Sequence, residues 1–251
     1  MMDDPLSGYE KSAQFYDLFD DKENVGFFCY YATQAGELLD VGAGTGRIAI
    51  LLAERGARIV CVEPSRAMRR EFQGKLRRRP DVRGRITLVP GDAASFTLHR
   101  RFPVAFLSGT FDHLLDRETR LASLRNIARH LEPDGTVVFD VFLASMHDTP
   151  LSPAGRVERG GVEYRRFVAR RVLPGQKMMV KLVFEVYRQG ELQERIAERS
   201  MVGHTDRAEV RDVLAEVGFF VRREFSDYDF TPYQEGADLL IVEAVYRPES
   251  V

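Results

Sequence analysis

The sequence predicts an α/β fold with an open sheet, and three observations carry that prediction. The run Leu38-Leu39-Asp40-Val41-Gly42-Ala43-Gly44-Thr45-Gly46-Arg47 reads as a buried strand that ends in a glycine-rich turn and feeds a helix beginning near Ile48. Apolar strand runs and helical periods then alternate to about Val141. The chain has 251 residues, 44% of them hydrophobic, enough for one good core, either as a single domain or as a domain with a lid.

The glycine-rich turn limits the ligand. In open α/β sheets ligands bind at the carboxyl ends of strands, where glycine lets the backbone approach closely. A dinucleotide fingerprint requires glycine at position 47, which is Arg47 here, and the Gly-Lys-Ser/Thr of a phosphate-binding loop is absent. Asp40, just ahead of the glycines, would repel a pyrophosphate and attract a cationic ligand group.

Before the first strand lie two short helical patterns, near Gly8–Phe19 and Glu23–Gln34, with Ser7 or Asp21 as caps. The strand Ile59–Glu63 ends in an acid about twenty residues past the first glycine, where nucleotide-binding α/β folds hydrogen-bond ribose hydroxyls. Ile86–Val89 reads as a third strand and runs into Pro90-Gly91-Asp92-Ala93. Val104–Phe111 reads as a fourth strand and its loop. Arg117–Leu131 carries a 3.6-residue apolar period behind a capping Asp116. Leu131-Glu132-Pro133-Asp134-Gly135 reads as a helix end and turn ahead of a fifth strand.

From Ser145 to Gly161 the Pro, Gly and polar content reads as a linker or loop. Three segments of strand period follow, around 162–168, 180–186 and 192–202, with turns at Pro174-Gly175 and Gln189-Gly190 that favour antiparallel hairpins. Thr205-Asp206 caps a helix through Val217, Gly218 ends it, and strands near 219–225 and 238–246 close the pattern.

Taken together, these blocks resemble the class I S-adenosylmethionine-dependent methyltransferases. Asp40-Val41-Gly42-Ala43-Gly44-Thr45-Gly46 is similar to their first motif, and four further blocks follow in order to about Phe142. The resemblance implies a Rossmann-like, mostly parallel seven-stranded sheet with helices on both faces, closed at one edge by a reversed hairpin. It also implies an N-terminal helical lid (1–36), a core (37–144 and 204–251) and an inserted antiparallel β subdomain (145–203) over the substrate pocket. S-adenosylmethionine would lie against Asp40, Gly42, Ala43, Gly44, Gly46 and Arg47. Glu63, with Pro64 beside it, would take the ribose, and Asp92 with Ala93 the adenine. Ser108 and Gly109 would border the methyl group, and Tyr16, of the pair Tyr16-Asp17, would fold over the cofactor.

The segment Ser108-Gly109-Thr110-Phe111-Asp112-His113-Leu114 resembles a loop of the glycine N-methyltransferase-like branch, with Gly109-Thr110 departing from its pattern. It makes His113 the candidate for a chemical role: a base, an acceptor-orienting group, or a contact to cofactor alone. Asp112 is expected to cap or to face solvent. His99, His130 and His147 sit beside exposed-looking sequence and His204 precedes a helix start, so none is assigned a ligand. Tyr228 and Tyr233 are expected to serve a turn rather than the pocket.

The expected activity is methyl transfer to nitrogen or oxygen of a small molecule. The alternatives are an RNA or protein acceptor, or a non-catalytic cofactor-binding regulator. A net charge of −2 offers no nucleic-acid signature, and the one basic run, Arg69 to Arg79, reads as the solvated face and end of a helix. Cys29 and Cys61 have no metal-ligand spacing, and Cys61 reads as a buried small hydrophobe. No apolar run approaches a membrane span, and the acidic start lacks signal-peptide character. A cytoplasmic protein is expected, with the inserted sheet as a possible homodimer surface.

Overall fold

The computed structural model describes residues 9–19 and 24–247. A 3-10 helix (Ala13–Phe19) and α1 (Val25–Ala35) precede β1 (Glu37–Val41) and α2 (Arg47–Glu54). Then come β2 (Arg58–Glu63), α3 (Arg66–Arg77), α4 (Pro80–Arg83), β3 (Ile86–Pro90), β4 (Phe102–Leu107), α5 (Arg117–Arg129) and β5 (Leu131–Phe142). Strands β6 (Thr149–Arg159), β7 (Val162–Leu173), β8 (Lys177–Arg188) and β9 (Glu191–Gly203) follow. The chain closes with α6 (Arg207–Val217), β10 (Phe219–Phe225) and β11 (Leu239–Tyr246).

Seven strands form one sheet in the order β10-β11-β5-β4-β1-β2-β3, parallel except for β11, which runs antiparallel to both β5 and β10. Helices α5 and α6 cover one face and α1 to α4 the other. Successive residues of a strand therefore enter opposite cores: Leu38 and Cys61 pack toward α1 and α2, Leu39 and Val62 toward the α5 side. Burial on both faces is why these strands read as unbroken apolar runs.

The helix termini follow the sequence. Asp116 accepts from Thr119 N and Asp206 from Glu209 N, and Gly218 closes α6 in the left-handed region at φ 91°. The expected caps Ser7 and Asp21 lie outside the described residues. Among the described residues no helix is long and apolar enough to cross a membrane.

The first helical pattern is borne out as a 3-10 helix over Ala13–Phe19, where Phe15 and Phe19 pack against Phe184 of β8. Two expectations need correction. Leu131–Gly135 is not a simple turn: Leu131 already pairs with Phe102, and the ladder resumes at Val104–Thr136 after an irregularity containing Asp134 at φ 59°. The expected linker contains β6, so the inserted sheet has four strands in the order β6-β7-β8-β9. Strand β6 lies on that sheet's edge, and two register shifts accompany its Pro150, Pro153 and Gly155. The bulges break the two-residue alternation that would have betrayed a strand.

The glycine turn allows a stability test. Gly46 has φ 76°, and a Cβ there would stand 2.1 Å from the Phe72 ring. Gly46→Ala adds backbone strain to overpacking and is expected to cost about 2–4 kcal/mol in urea denaturation. An unchanged midpoint would show that the turn relaxes freely.

Candidate active site

The turn after β1 is held by the neighbouring strand. Val62 O accepts from Gly42 N (2.8 Å) and Ala43 N (3.1 Å), and Gly46 N donates to Ala43 O (2.9 Å). Gly42, Gly44 and Gly46 all have positive φ. Two are forced by packing, because a Cβ on Gly42 would strike Thr110 and one on Gly46 would strike Phe72. Gly44 differs: a Cβ there meets no protein atom within 4 Å, and the residue borders open cavity.

A cleft follows the carboxyl ends of the strands. Its largest chamber, about 230 Å³, is bordered by Gly42, Gly44, Glu63, Pro64, Asp92, Ala93, Ser108, Gly109 and His113. A small recess of about 40 Å³ holds Asp40, Ala43 and Arg47. A third chamber, about 190 Å³, brings Tyr16, Phe19 and Arg47 against Arg166, Leu182 and Phe184 of the inserted sheet. Tyr16 borders all three. The expected site residues are thus brought together with one exception: Gly46 turns away from the cleft onto Phe72.

Three carboxyl groups line this cleft, Glu63 and Asp92 in the large chamber and Asp40 in the recess. Glu63 accepts from Gly44 N and Ser65 N, both at 2.8 Å, so it fixes the turn while bordering the chamber. Burial, reinforced by the charge of Glu63, pushes Asp40 up to about 7. Burial also raises Glu63 and Asp140. Asp92 accepts from Ala94 N (2.9 Å) and from the Ser95 hydroxyl, which shapes its own loop.

Sequence reasoning missed Asp140, which lies inside the apolar run of β5. It accepts from Gly109 N (2.6 Å), Ser108 Oγ (3.3 Å) and the Tyr228 hydroxyl (2.9 Å). Asn24 extends the chain, donating to Ser108 Oγ (3.0 Å) and accepting from Arg47 Nη1 (2.6 Å). Tyr228 therefore serves the floor of the site, while its neighbour Asp227 performs the expected turn role by accepting from Asp229 N and Thr231 N.

The N-terminal segment and the inserted sheet meet at His113. The Tyr9 hydroxyl lies 2.9 Å from Nε2, and Met201 O of β9 lies 3.1 Å from Nδ1. Burial lowers the affinity of His113 for a proton and raises that of the Tyr9 phenolate. Glu198 of β9 accepts from Lys11 N (2.5 Å) and Ser12 N (3.0 Å), tying the segment to the sheet. Asp17 accepts from Thr45 Oγ1 (2.6 Å) and pairs with Lys75, so it clasps the glycine turn from outside.

Other expectations fall differently. Asp112 does not face solvent: its Oδ2 accepts from Phe142 N (3.3 Å), its Oδ1 is buried without a hydrogen bond, and burial pushes the carboxyl up to about 7. His130 is buried, with Nε2 accepting from Leu98 N and Nδ1 beside Asn126 O. The basic run is only partly a solvated face. Arg69 donates to Glu63 O and Pro64 O, and Lys75 to Thr45 O.

Residues 38–135 match the family described as "Methyltransferase domain". This segment is a methyltransferase domain. The cypemycin N-terminal methyltransferase of a Streptomyces species is 32% identical over 146 residues, 55% of this chain and 58% of that protein. The dTDP-3-amino-3,6-dideoxy-alpha-D-glucopyranose N,N-dimethyltransferase of Streptomyces fradiae is 33% identical over 138 residues, 54% of this chain and 51% of that one. The alignments thus span little more than half of these curated relatives. The CcbJ methyltransferase of Streptomyces caelestis has the same fold over nearly the whole chain, with a TM-score of 0.80 at 19% identity, covering 98% of this chain and 100% of that one. That likeness includes the inserted sheet and the strands flanking the methyltransferase domain.

The buried acids give a pH test. Asp40 holds a proton up to about pH 7 when folded but only to about pH 3.9 when unfolded. Its contribution to stability is complete at low pH and lost as pH rises through that window. Asp40→Asn is expected to flatten the fall in Tm between pH 5 and pH 8 in scanning calorimetry. Parallel curves for variant and wild type would contradict this.

Proposed function

We propose that the protein transfers a methyl group from S-adenosylmethionine to an amine nitrogen of a small molecule. One observation carries this reading above the others: the glycine turn is flanked by buried carboxyls, Asp40 and Glu63, where a nucleotide phosphate site would need cations. Such a turn is hostile to pyrophosphate and attractive to a sulfonium. Asp140, buried beneath Ser108 and Gly109, adds a third carboxyl to the same end of the sheet.

The residues fit the cofactor. Gly44 leaves unfilled space at the cleft, and each Glu63 oxygen keeps a lone pair beyond its backbone bond for a ribose hydroxyl. Asp92 and Ala93 would border the adenine. Asp40 and Arg47, together in the small recess, would take the amino and carboxylate ends of the methionine portion. Ser108 and Gly109, held by Asp140, would face the methyl group, and Tyr16 would cover it. When bound, the cofactor supplies an already activated methyl, so the protein's task is placement in near-attack geometry, worth about 7–11 kcal/mol.

The chamber between Tyr16, Phe19 and the inserted sheet would receive the acceptor's body, which assigns substrate choice to residues 145–203. A nucleic-acid acceptor is disfavoured by the inward turn of Arg69 and Lys75, which takes two cations of the basic run away from the surface. The relatives whose names specify an amine acceptor support nitrogen over oxygen. Self-association through the inserted sheet would use the face where Glu185 pairs with Arg195 and Glu163 with Arg156 and Arg165. The two free, buried cysteines suit the reducing cytoplasm.

Calorimetry with S-adenosylmethionine and its demethylated product tests the cofactor. Glu63→Gln is expected to weaken both about 10- to 100-fold, the loss of one or two hydrogen bonds to a charged group. Transfer of labelled methyl to dTDP-3-amino-3,6-dideoxyglucose and to free aminodeoxy sugars tests the acceptor class. Binding of NADH instead of the sulfonium by wild type would overturn the reading.

A further inference from the structure

This inference rests on the amine-methylating reading above. We propose that Tyr9 is a catalytic residue: its phenol oxygen meets the acceptor nitrogen and relays the acceptor's proton to His113 behind it.

The direction of the relay follows from which atoms can donate. Met201 O is a carbonyl and only accepts, so the contact at 3.1 Å places the ring proton of His113 on Nδ1. Nε2 of the neutral ring then carries a lone pair, and the Tyr9 hydroxyl at 2.9 Å donates to it. The chain of bonds is polarised one way, from phenol to imidazole to nowhere further, because a backbone carbonyl cannot take the Nδ1 proton away. Both ring nitrogens are thus occupied within the protein, so His113 does not meet an acceptor directly. The Tyr9 oxygen keeps its lone pairs, and Tyr9 borders the large chamber together with Tyr16 and His113.

The surroundings set the needed protonation states. Burial favours neutral His113 and protonated Tyr9 at neutral pH, so the relay begins with a free base and an intact hydroxyl. The groups that face the pair are Tyr16, edge-on to Tyr9 at 6.0 Å between ring centres, Glu63 at the end of β2, and Glu198 and Ser200 of β9. Asp112 is its neighbour in the same turn.

The step balances as follows. An N–H bond of the ammonium acceptor breaks and its proton joins the Tyr9 oxygen, while the proton of Tyr9 moves to Nε2. Tyr9 ends neutral and His113 ends as imidazolium. The freed nitrogen pair forms the new C–N bond as the C–S bond breaks, with that electron pair staying on sulfur as a neutral thioether. The product leaves as a methylated ammonium, and the Nε2 proton of His113 returns through the Tyr9 hydroxyl to solvent entering the emptied chamber.

Two arms test this. The first needs no acceptor: nitrogen-15 NMR of the protein bound to S-adenosylhomocysteine should find His113 neutral with its proton on Nδ1. The Nε2 signal should shift in Tyr9→Phe. A proton on Nε2 overturns the proposal whatever the substrate. The second arm measures turnover of dTDP-3-amino-3,6-dideoxyglucose against pH. Tyr9→Phe is expected to lower kcat about 100-fold, to leave donor affinity within about threefold by calorimetry, and to abolish the loss of activity as pH falls through the pKa of His113. His113→Gln should cost a similar factor, and the double variant little more, because the pair acts as a unit. Undiminished kcat in Tyr9→Phe overturns the relay and leaves the amine reading intact. Donor binding without methylation of this amine or of free aminodeoxy sugars sinks the amine reading, and the relay with it.

Discussion

The site depends on a short left-handed path of backbone between β1 and α2. Three glycines there take positive φ, and the chain has no other way to turn from the strand into the helix while Thr110 presses on Gly42 and Phe72 on Gly46. The same turn hands its amides to β2: Val62 O takes two of them and Glu63 a third. Strand order, helix start and carboxylate position are therefore one constraint. The tip of β1 cannot move relative to β2 without breaking bonds that also aim Glu63.

What lies over this floor is attached more lightly. The N-terminal segment is fastened by the paired amides of Lys11 and Ser12 on Glu198, by Asp17 at the glycine turn, and by Tyr9 at His113. Phe15 and Phe19 add a small aromatic cluster on the inserted sheet, far smaller than the two cores of the main sheet. Each hydrogen bond is worth about 1 kcal/mol net. A few such bonds make a cover that opens well before the sheet beneath it unfolds. Local stability therefore falls from the sheet to the segment that lies over the cleft.

The buried architecture was legible in the sequence because its strands are packed on both faces and its helices on one. Leu38–Val41, Ile59–Glu63 and the period of Arg117–Leu131 each report their surroundings directly. Glu63 and Asp40 were legible because a carboxylate at a strand end stands out against apolar neighbours. Asp140 did not stand out, although it interrupts Val137–Phe142 in the same way, because nothing local reveals that Gly109, Ser108 and Tyr228 converge on it from distant segments. Tyr9 was hidden for the same reason. Its partner is more than a hundred residues away, and an aromatic stripe looks alike whether it fills a core or presents a hydroxyl.

Strand β6 escaped the sequence because its prolines and bulges spoil the alternation of a regular strand. It is also the outermost strand of a four-stranded sheet, and most of its residues are exposed. An open, regular edge of that length would be a template on which a passing chain could extend the sheet. Pro150 and Pro153 lack the amide a newcomer would need, and the register shifts interrupt the spacing of what remains. The irregularity that conceals this strand from a reader of the sequence also makes its edge a poor template for other polypeptides.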